Sequence, residues 1–297
     1  MTMTAHPVPV LRGLSEIIHD YRAVLLDLWG VIHGGVAPYP HVLETLLELR
    51  RAGRPIALLS NAPRRAATVE RRLAEIGVPR EAYDALMTSG EAAHEALAAR
   101  PDPDHAALGR RYVYIGPEWD MDVVADLDYA SVGDVEEAHF LLCVGLFDEA
   151  DPLESYDPLF AAAKARDLPM ICVNPDLVVH RQSGITSPCA GLLARHYRDA
   201  HRGRAIYHGK PDPGIFRDAA AALDVPGDAR ILVVGDSLTT DIKGAHAAGY
   251  DSLFVTRGIH AGELGIEPGA EPDPRSVARL CARHGETPRA AIATLRW

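Results

Sequence analysis

Four apolar runs in this chain each lead to a polar side chain able to do chemistry. Ala23-Val24-Leu25-Leu26 runs into Asp27, and Ile56-Ala57-Leu58-Leu59 into Ser60-Asn61. Ala205-Ile206-Tyr207 leads through His208-Gly209 to Lys210, and Ile231-Leu232-Val233-Val234-Gly235 is followed by Asp236 and then Asp241. Each has a plain reading by itself: a capping aspartate, a helix cap, a solvated lysine, a turn acid with a first-turn helix acid. Brought to one sheet edge they become a carboxylate nucleophile, a hydroxyl, an ammonium and a carboxylate pair. Those are the parts of metal-assisted phosphoryl transfer, in which an anionic nucleophile meets an anionic phosphoryl group only if positive charge bridges them. Hard carboxylate oxygens suit Mg²⁺. Ser60 and the helix start after it can donate to phosphoryl oxygens, and Lys210 offsets remaining charge.

The elements that must position these residues follow from the apolar pattern. Short continuous apolar runs ending in a charge read as buried parallel strands, and open α/β sheets bind ligands beyond the carboxyl ends of such strands. A short helix is expected from Leu14 to His19. The next opens at Tyr39-Pro40, carries Leu43, Leu46 and Leu47 at helical spacing and stops at Gly53. Pro63 suits the first turn of a further helix ending at Gly77. Strand, helix, strand, helix predicts a doubly wound α/β sheet.

The middle of the chain breaks the pattern. Thr88-Ser89 caps an alanine-rich helix. Strands are expected over 112–115, 140–145 and 170–173, with a helix over 156–166 and a closing Asn174-Pro175-Asp176. This segment reads as an inserted α/β domain over 89–199, between core segments 1–88 and 200–297. The first pattern resumes at 205–207, continues through the strand before Asp236 and a strand at 253–256, and reaches a Pro/Gly/Glu-rich loop over 262–274 before a final helix.

Composition narrows the partners. The formal net charge of −11 over 297 residues, with no Lys/Arg cluster, disfavours nucleic acid. No stretch approaches the roughly 18 apolar residues of a membrane span. Four cysteines without a CxxC pair read as buried thiols of a reducing compartment, and a cytoplasmic location is expected. No HExxH or Cys/His ligand spacing argues for zinc. Basic residues are nearly all arginine. Lys164, Lys210 and Lys243 are the lysines, so a lysine within a motif points to a need for a compact ammonium.

The motifs DLWGVIHGG, LLSNAP, HGKPDP and GDSLTTD, in this order, resemble the haloacid dehalogenase (HAD) superfamily of phosphohydrolases. The insertion and the NPD at 174–176 resemble its class IIA, NagD-like branch. That resemblance implies a Rossmann-like core with an α/β cap and a Mg²⁺-dependent phosphatase of a small phosphorylated metabolite. It implies Asp27 as nucleophile through an aspartyl-phosphate. Asp27, Asp236 and the Trp29 carbonyl would be metal ligands, and Asp241 would hold a metal-bound water. Ser60, Asn61, Gly30, Lys210, Asn174 and Asp176 would meet phosphate or substrate. One position departs: phosphatases of this family carry a second aspartate two residues after the nucleophile, and here it is Trp29. An indole N–H does not ionise near neutrality, so the acid step falls to another group. His33 is a candidate, against the plainer reading of a turn histidine facing solvent. His180 and Asp176 are placed to touch substrate, against a hinge role for the NPD segment. Two rivals remain open: a catalytically weak regulatory protein that binds Mg²⁺ and a phosphorylated ligand, and a carbon–halogen hydrolase, against which the Asp236/Asp241 pair argues. Oligomeric state, a homodimer included, is not legible.

Overall fold

The computed structural model describes residues 8–180, 185–266 and 270–297. The first seven residues of the polar lead and the centre of the 262–274 loop lie outside the described residues. The chain opens with β1 (Val10–Leu11). The helix expected after it is instead two 3-10 turns, Leu14–Glu16 and Ile18–Asp20. Glu16 turns back to accept the N–H groups of Arg12 and Gly13, which closes a tight turn too short to nucleate an α-helix.

β2 (Ala23–Asp27), α1 (Val42–Arg51), β3 (Ile56–Ser60) and α2 (Ala66–Glu75) then alternate as the apolar pattern requires. Pro63 precedes α2 rather than entering it. The start of that helix is held by Glu91, which accepts the Ala66 N–H and pairs with the Arg65 guanidinium. A short strand not expected from the sequence, β4 (Ala85–Thr88), leads into α3 (Ser89–Ala99), where the Thr88 hydroxyl caps the Glu91 N–H as anticipated.

Next come α4 (Pro103–Ala106), β5 (Arg111–Ile115), β6 (Ala130–Ser131), β7 (Phe140–Cys143), α5 (Asp157–Ala165) and β8 (Pro169–Cys172). An antiparallel ribbon of β9 (Val178–His180) and β10 (Thr186–Pro188) follows, then α6 (Ala190–His201) and β11 (Arg204–Tyr207). The chain ends through α7 (Pro213–Ala221), β12 (Ile231–Gly235), α8 (Lys243–Ala248), β13 (Asp251–Val255), α9 (Ala261–Leu264), α10 (Pro274–His284) and β14 (Ala290–Ile292).

Two parallel sheets result. The first has the order β1-β14-β13-β12-β2-β3-β4, the second β11-β8-β7-β5-β6. β11 corrects the sequence reading. It was expected to resume the first pattern, but it pairs in parallel with β8, Ile206 opposite Ile171. A four-residue strand carries no mark of which sheet it joins.

β2, β3 and β12 are buried on both faces, which accounts for their unbroken apolar runs. Leu26, Leu58 and Val234 pack with α1 residues Leu46 and Leu49 on one side. Leu25, Leu59 and Val233 pack with Ile215 and Phe216 of α7 on the other. The second sheet is covered by Phe160, Leu193 and Tyr197 of α5 and α6 on one face and by Ala93 and Leu97 of α3 on the other. All four cysteines are buried. Among the described residues no helix is long and apolar enough to cross a membrane.

One close approach ties the second sheet's α6 to the loop after β8. A Cβ on Gly191, in the first turn of α6, would lie 2.2 Å from the Pro175 carbonyl oxygen. Overpacking costs about 1–3 kcal/mol, against at most about 1 kcal/mol of helix propensity gained. Gly191→Ala is therefore expected to lower the thermal midpoint despite the better helix former; an unchanged or raised midpoint in a thermal melt would contradict this packing.

Candidate active site

In the first sheet the order runs one way from β2 through β3 to β4 and the other way from β12 through β13 to β14 and β1. The reversal falls between β2 and β12, which pair in parallel with Leu26 opposite Val234. A crevice beyond the strand ends opens at such a switch point, and both flanking strands end there in a carboxylate. Asp27 terminates β2, and Asp236 follows β12 directly. Asp241 returns to the same place on a π-helical turn, Leu238–Ile242, begun by Ser237, whose hydroxyl caps the Thr240 N–H. Carboxylate oxygens of Asp27, Asp236 and Asp241 lie within 4.8 Å of one another, all buried.

Lys210 enters from a different direction. It follows β11 of the second sheet, yet its side chain is buried between the carboxylates. Its Nζ donates to Asp27 Oδ1 at 2.5 Å and to Asp241 Oδ1 at 2.7 Å. Asn61 fixes its backbone: Asn61 Oδ1 accepts the Lys210 N–H at 2.7 Å, and Asn61 Nδ2 donates to the Lys210 carbonyl at 3.1 Å and to Asp176 Oδ1 at 2.9 Å. One amide thus joins the end of β3, the lysine and the NPD segment. Asp176 in turn receives order from Asn174, whose Oδ1 accepts the Asp176 N–H.

Glycines make the crowding tolerable. Gly30 has φ 85, and a Cβ there would meet Asp236 Oδ2 at 2.1 Å. The sequence reading gave Gly30 to phosphate or substrate; the structure places its backbone against Asp236. Gly258 does the same from the other side, at 2.0 Å, and the next N–H, from Ile259, donates to Asp236 Oδ2 at 2.7 Å. This loop after β13 was missed from sequence; its one signal was a glycine just past a strand end.

The charges do not balance. Three buried carboxylates face one ammonium. Burial, then Asp241, pushes Asp236 up to about 7. Burial also pushes Asp27 well above the carboxylate range, with Asp241 and Asp236 adding to it against the pull of Lys210. Burial would lower Lys210, but Asp241, Asp27 and Asp176 outweigh it and raise it. An all-oxygen donor set with surplus negative charge suits a hard divalent cation such as Mg²⁺, so the residues fit that ion.

Ser60 is buried beside Asp27, with its Oγ accepting the Ala62 N–H at 3.2 Å. Trp29 is half-buried, and its indole N–H donates to the His180 carbonyl at 2.6 Å, linking the loop after β2 to the β9–β10 ribbon. His180 meets this loop through its backbone. His33 does not face solvent. It packs edge-on to Trp29 at 5.3 Å between centroids and accepts the Gly35 N–H on Nδ1. Burial, helped by Arg72, holds it down at about 4, so near neutrality it carries no proton to give as an imidazolium.

The comparisons agree with this architecture. A haloacid dehalogenase-like hydrolase family model matches residues 24–130, and a HAD-hydrolase-like model matches 207–282. The crystal structure of a haloacid dehalogenase-like hydrolase from Brucella suis superposes with a TM-score of 0.80 at 30% identity, covering 96% of this chain and 100% of that one. The chain belongs to the haloacid dehalogenase-like hydrolase family, in its class IIA branch. It is also similar to the D-glycerol 3-phosphate phosphatase of Mycobacterium tuberculosis, at 29% identity over 84% of this chain and 66% of that protein. A glycerol phosphate phosphatase from the same organism, solved in complex with magnesium, matches with a TM-score of 0.62 at 26% identity, covering 89% of this chain and 79% of that one.

Asn61 provides a test of the site as built. Its removal leaves the Lys210 N–H and carbonyl buried without their partner, at about 1–3 kcal/mol for each unsatisfied group. Asn61→Ala is expected to lower the denaturant midpoint accordingly, and Asn61→Asp, which cannot donate to the carbonyl, is not expected to restore it. Wild-type stability in both variants would show that the amide is not holding the lysine.

Proposed function

We propose that this chain is a Mg²⁺-dependent phosphohydrolase of a small phosphorylated metabolite, acting through an aspartyl-phosphate on Asp27. The observation that carries this reading is the convergence of Asp27, Asp236, Asp241 and Lys210 in one buried cluster at the sheet's switch point. Asp27, Asp236 and the Trp29 carbonyl would hold the ion, with Asp241 behind them. When bound, the ion would supply the positive charge that lets one anion attack another. Asp27 is the nucleophile: its free oxygen forms a bond to phosphorus as the bond to the leaving alkoxide breaks, and water then attacks the phosphorus to release phosphate and the carboxylate. Lys210 orients Asp27 and neutralises part of the charge on the transferring group, and Ser60 donates a hydrogen bond to it. Asn174 and Asp176 present the second sheet's edge to the substrate. The phosphatase activity named for the mycobacterial relative supports the reaction class, and glycerol phosphate sets the size of ester to try first.

Removing the nucleophile is the direct test. Asp27→Asn is expected to abolish turnover in a metabolite phosphatase assay while leaving the circular dichroism unchanged, and Mg²⁺ chelation is expected to do the same reversibly. Lys210→Arg, longer and planar, is expected to lose most activity despite keeping the charge. Near-wild-type turnover of Asp27→Asn would remove the covalent mechanism.

Trp29 favours a second reading, that of a slow enzyme serving as a phospho-ligand binder. A positioned general acid contributes about 10²–10⁴-fold, or roughly 3–5 kcal/mol of barrier. Neither Trp29 nor the neutral His33 supplies one. Aryl and acyl phosphates, whose leaving groups need no proton, are therefore expected to be cleaved much faster than alkyl phosphates, with a steep dependence on leaving-group pKa. Trp29→Asp is expected to flatten that dependence. A folded, Mg²⁺-loaded protein that cleaves none of these esters would favour the binding role over the enzyme.

A further inference from the structure

A second set of converging donors lies away from the carboxylate cluster, on the outer face of the second sheet. Asp157 is the first residue of α5, and His196 and His201 lie on the last turns of α6. The Nε2 atoms of both imidazoles are 2.7 Å from the same oxygen, Asp157 Oδ1. The two rings meet edge to face at 5.5 Å, and each packs against the buried Phe160, at 6.0 and 5.8 Å. The histidine side chains are 19% and 16% exposed and the aspartate 43% exposed, so the donors are walled on the protein side and open on the other.

We propose that Asp157, His196 and His201 form a binding site for a borderline transition-metal ion of the zinc class. The donor set sorts it from the first cluster. Two imidazoles and one carboxylate favour zinc, nickel or cobalt, whereas an all-carboxylate set favours magnesium. Ligand distances of about 2.0–2.2 Å in a tetrahedral zinc site place neighbouring donors about 3.3–3.6 Å apart, so the present 2.7 Å separations would open by about 0.6–0.9 Å to admit the ion. A third group of similar composition, His260, Glu263 and His284, is a poorer site. Its His260 Nε2 already accepts the Leu238 N–H, and Glu263 also faces the Arg283 guanidinium.

Such an ion would clamp the start of α5 to the end of α6. The other end of α6 is the one that presses on the Pro175 carbonyl through Gly191. The 12-residue helix, about 18 Å long, would then be fixed at one end by the ion and abut the NPD segment at the other.

Zn²⁺ titration of the tag-free protein by calorimetry, in excess Mg²⁺ to hold the carboxylate cluster, tests this. Wild type is expected to take up one equivalent that H196Q/H201Q and D157N bind at least about 100-fold more weakly, since removing even an outer partner of a ligand costs about 10–100-fold. D157N, at a half-buried surface position, keeps the test valid if the double variant fails to fold. Co²⁺ bound to wild type is expected to show visible absorption bands that the variants lack, and H284Q is expected to retain them. Zn²⁺ is expected to raise the melting temperature of wild type alone. Equal Zn²⁺ uptake by wild type and D157N, or loss of the equivalent in H284Q, would overturn the assignment and leave the trio as a hydrogen-bonded staple.

Discussion

The ammonium of Lys210 between Asp27 and Asp241 is the contact on which the site rests. Without it three carboxylates would stand within a few ångströms of each other in a crevice that water scarcely reaches. Removing one partner of a buried pair costs about 3–5 kcal/mol because the other charge is left uncompensated. The surrounding backbone is shaped to this arrangement: Gly30 and Gly258 yield space to Asp236, and Asn61 grips both backbone groups of the lysine. Even so, three carboxylates face one ammonium, and burial, with Asp241 beside it, raises Asp236. The crevice is left with surplus negative charge, which favours a bound cation over an empty site.

Much of this was legible because the informative residues sit where physics leaves few alternatives. A strand buried on both faces must be apolar throughout, so a charge at its end marks the sheet edge; Asp27 and Asp236 were found that way. Lysine in an arginine-rich chain singled out Lys210, although its strand belongs to the other sheet. What failed depended on tertiary pairing. Tyr207 and its neighbours are as apolar as a core strand, and only the partner strand decides which sheet they join. β4 and β14, at four and three residues, are too short to carry a pattern, and the β9–β10 ribbon is too brief for alternation to register. The Gly258-Ile259 loop touches Asp236 through a backbone N–H, which no side-chain pattern encodes.

Trp29 and His33 are both taken up in packing: the indole reaches across to the His180 carbonyl, and the imidazole lies edge-on to that indole. Gly35, at φ 100, is pressed against the same ring, where a Cβ would meet it at 2.8 Å. In the loop after β2, Trp29, His33 and Gly35 are therefore packed closely on one another.

The placement of β11 has a mechanical meaning. Only His208 and Gly209 separate the last residue of that strand from Lys210, a span of at most about 11 Å between the Cα atoms of Tyr207 and Lys210. A sheet that turned about a distant axis would drag the ammonium out from between its carboxylates. With the tether this short, the rotation that preserves the charge triad is one whose axis passes close to the tether itself. A rotation of the second sheet about that point would give its far edge, at β6, the longest lever arm and disturb the ionic centre least.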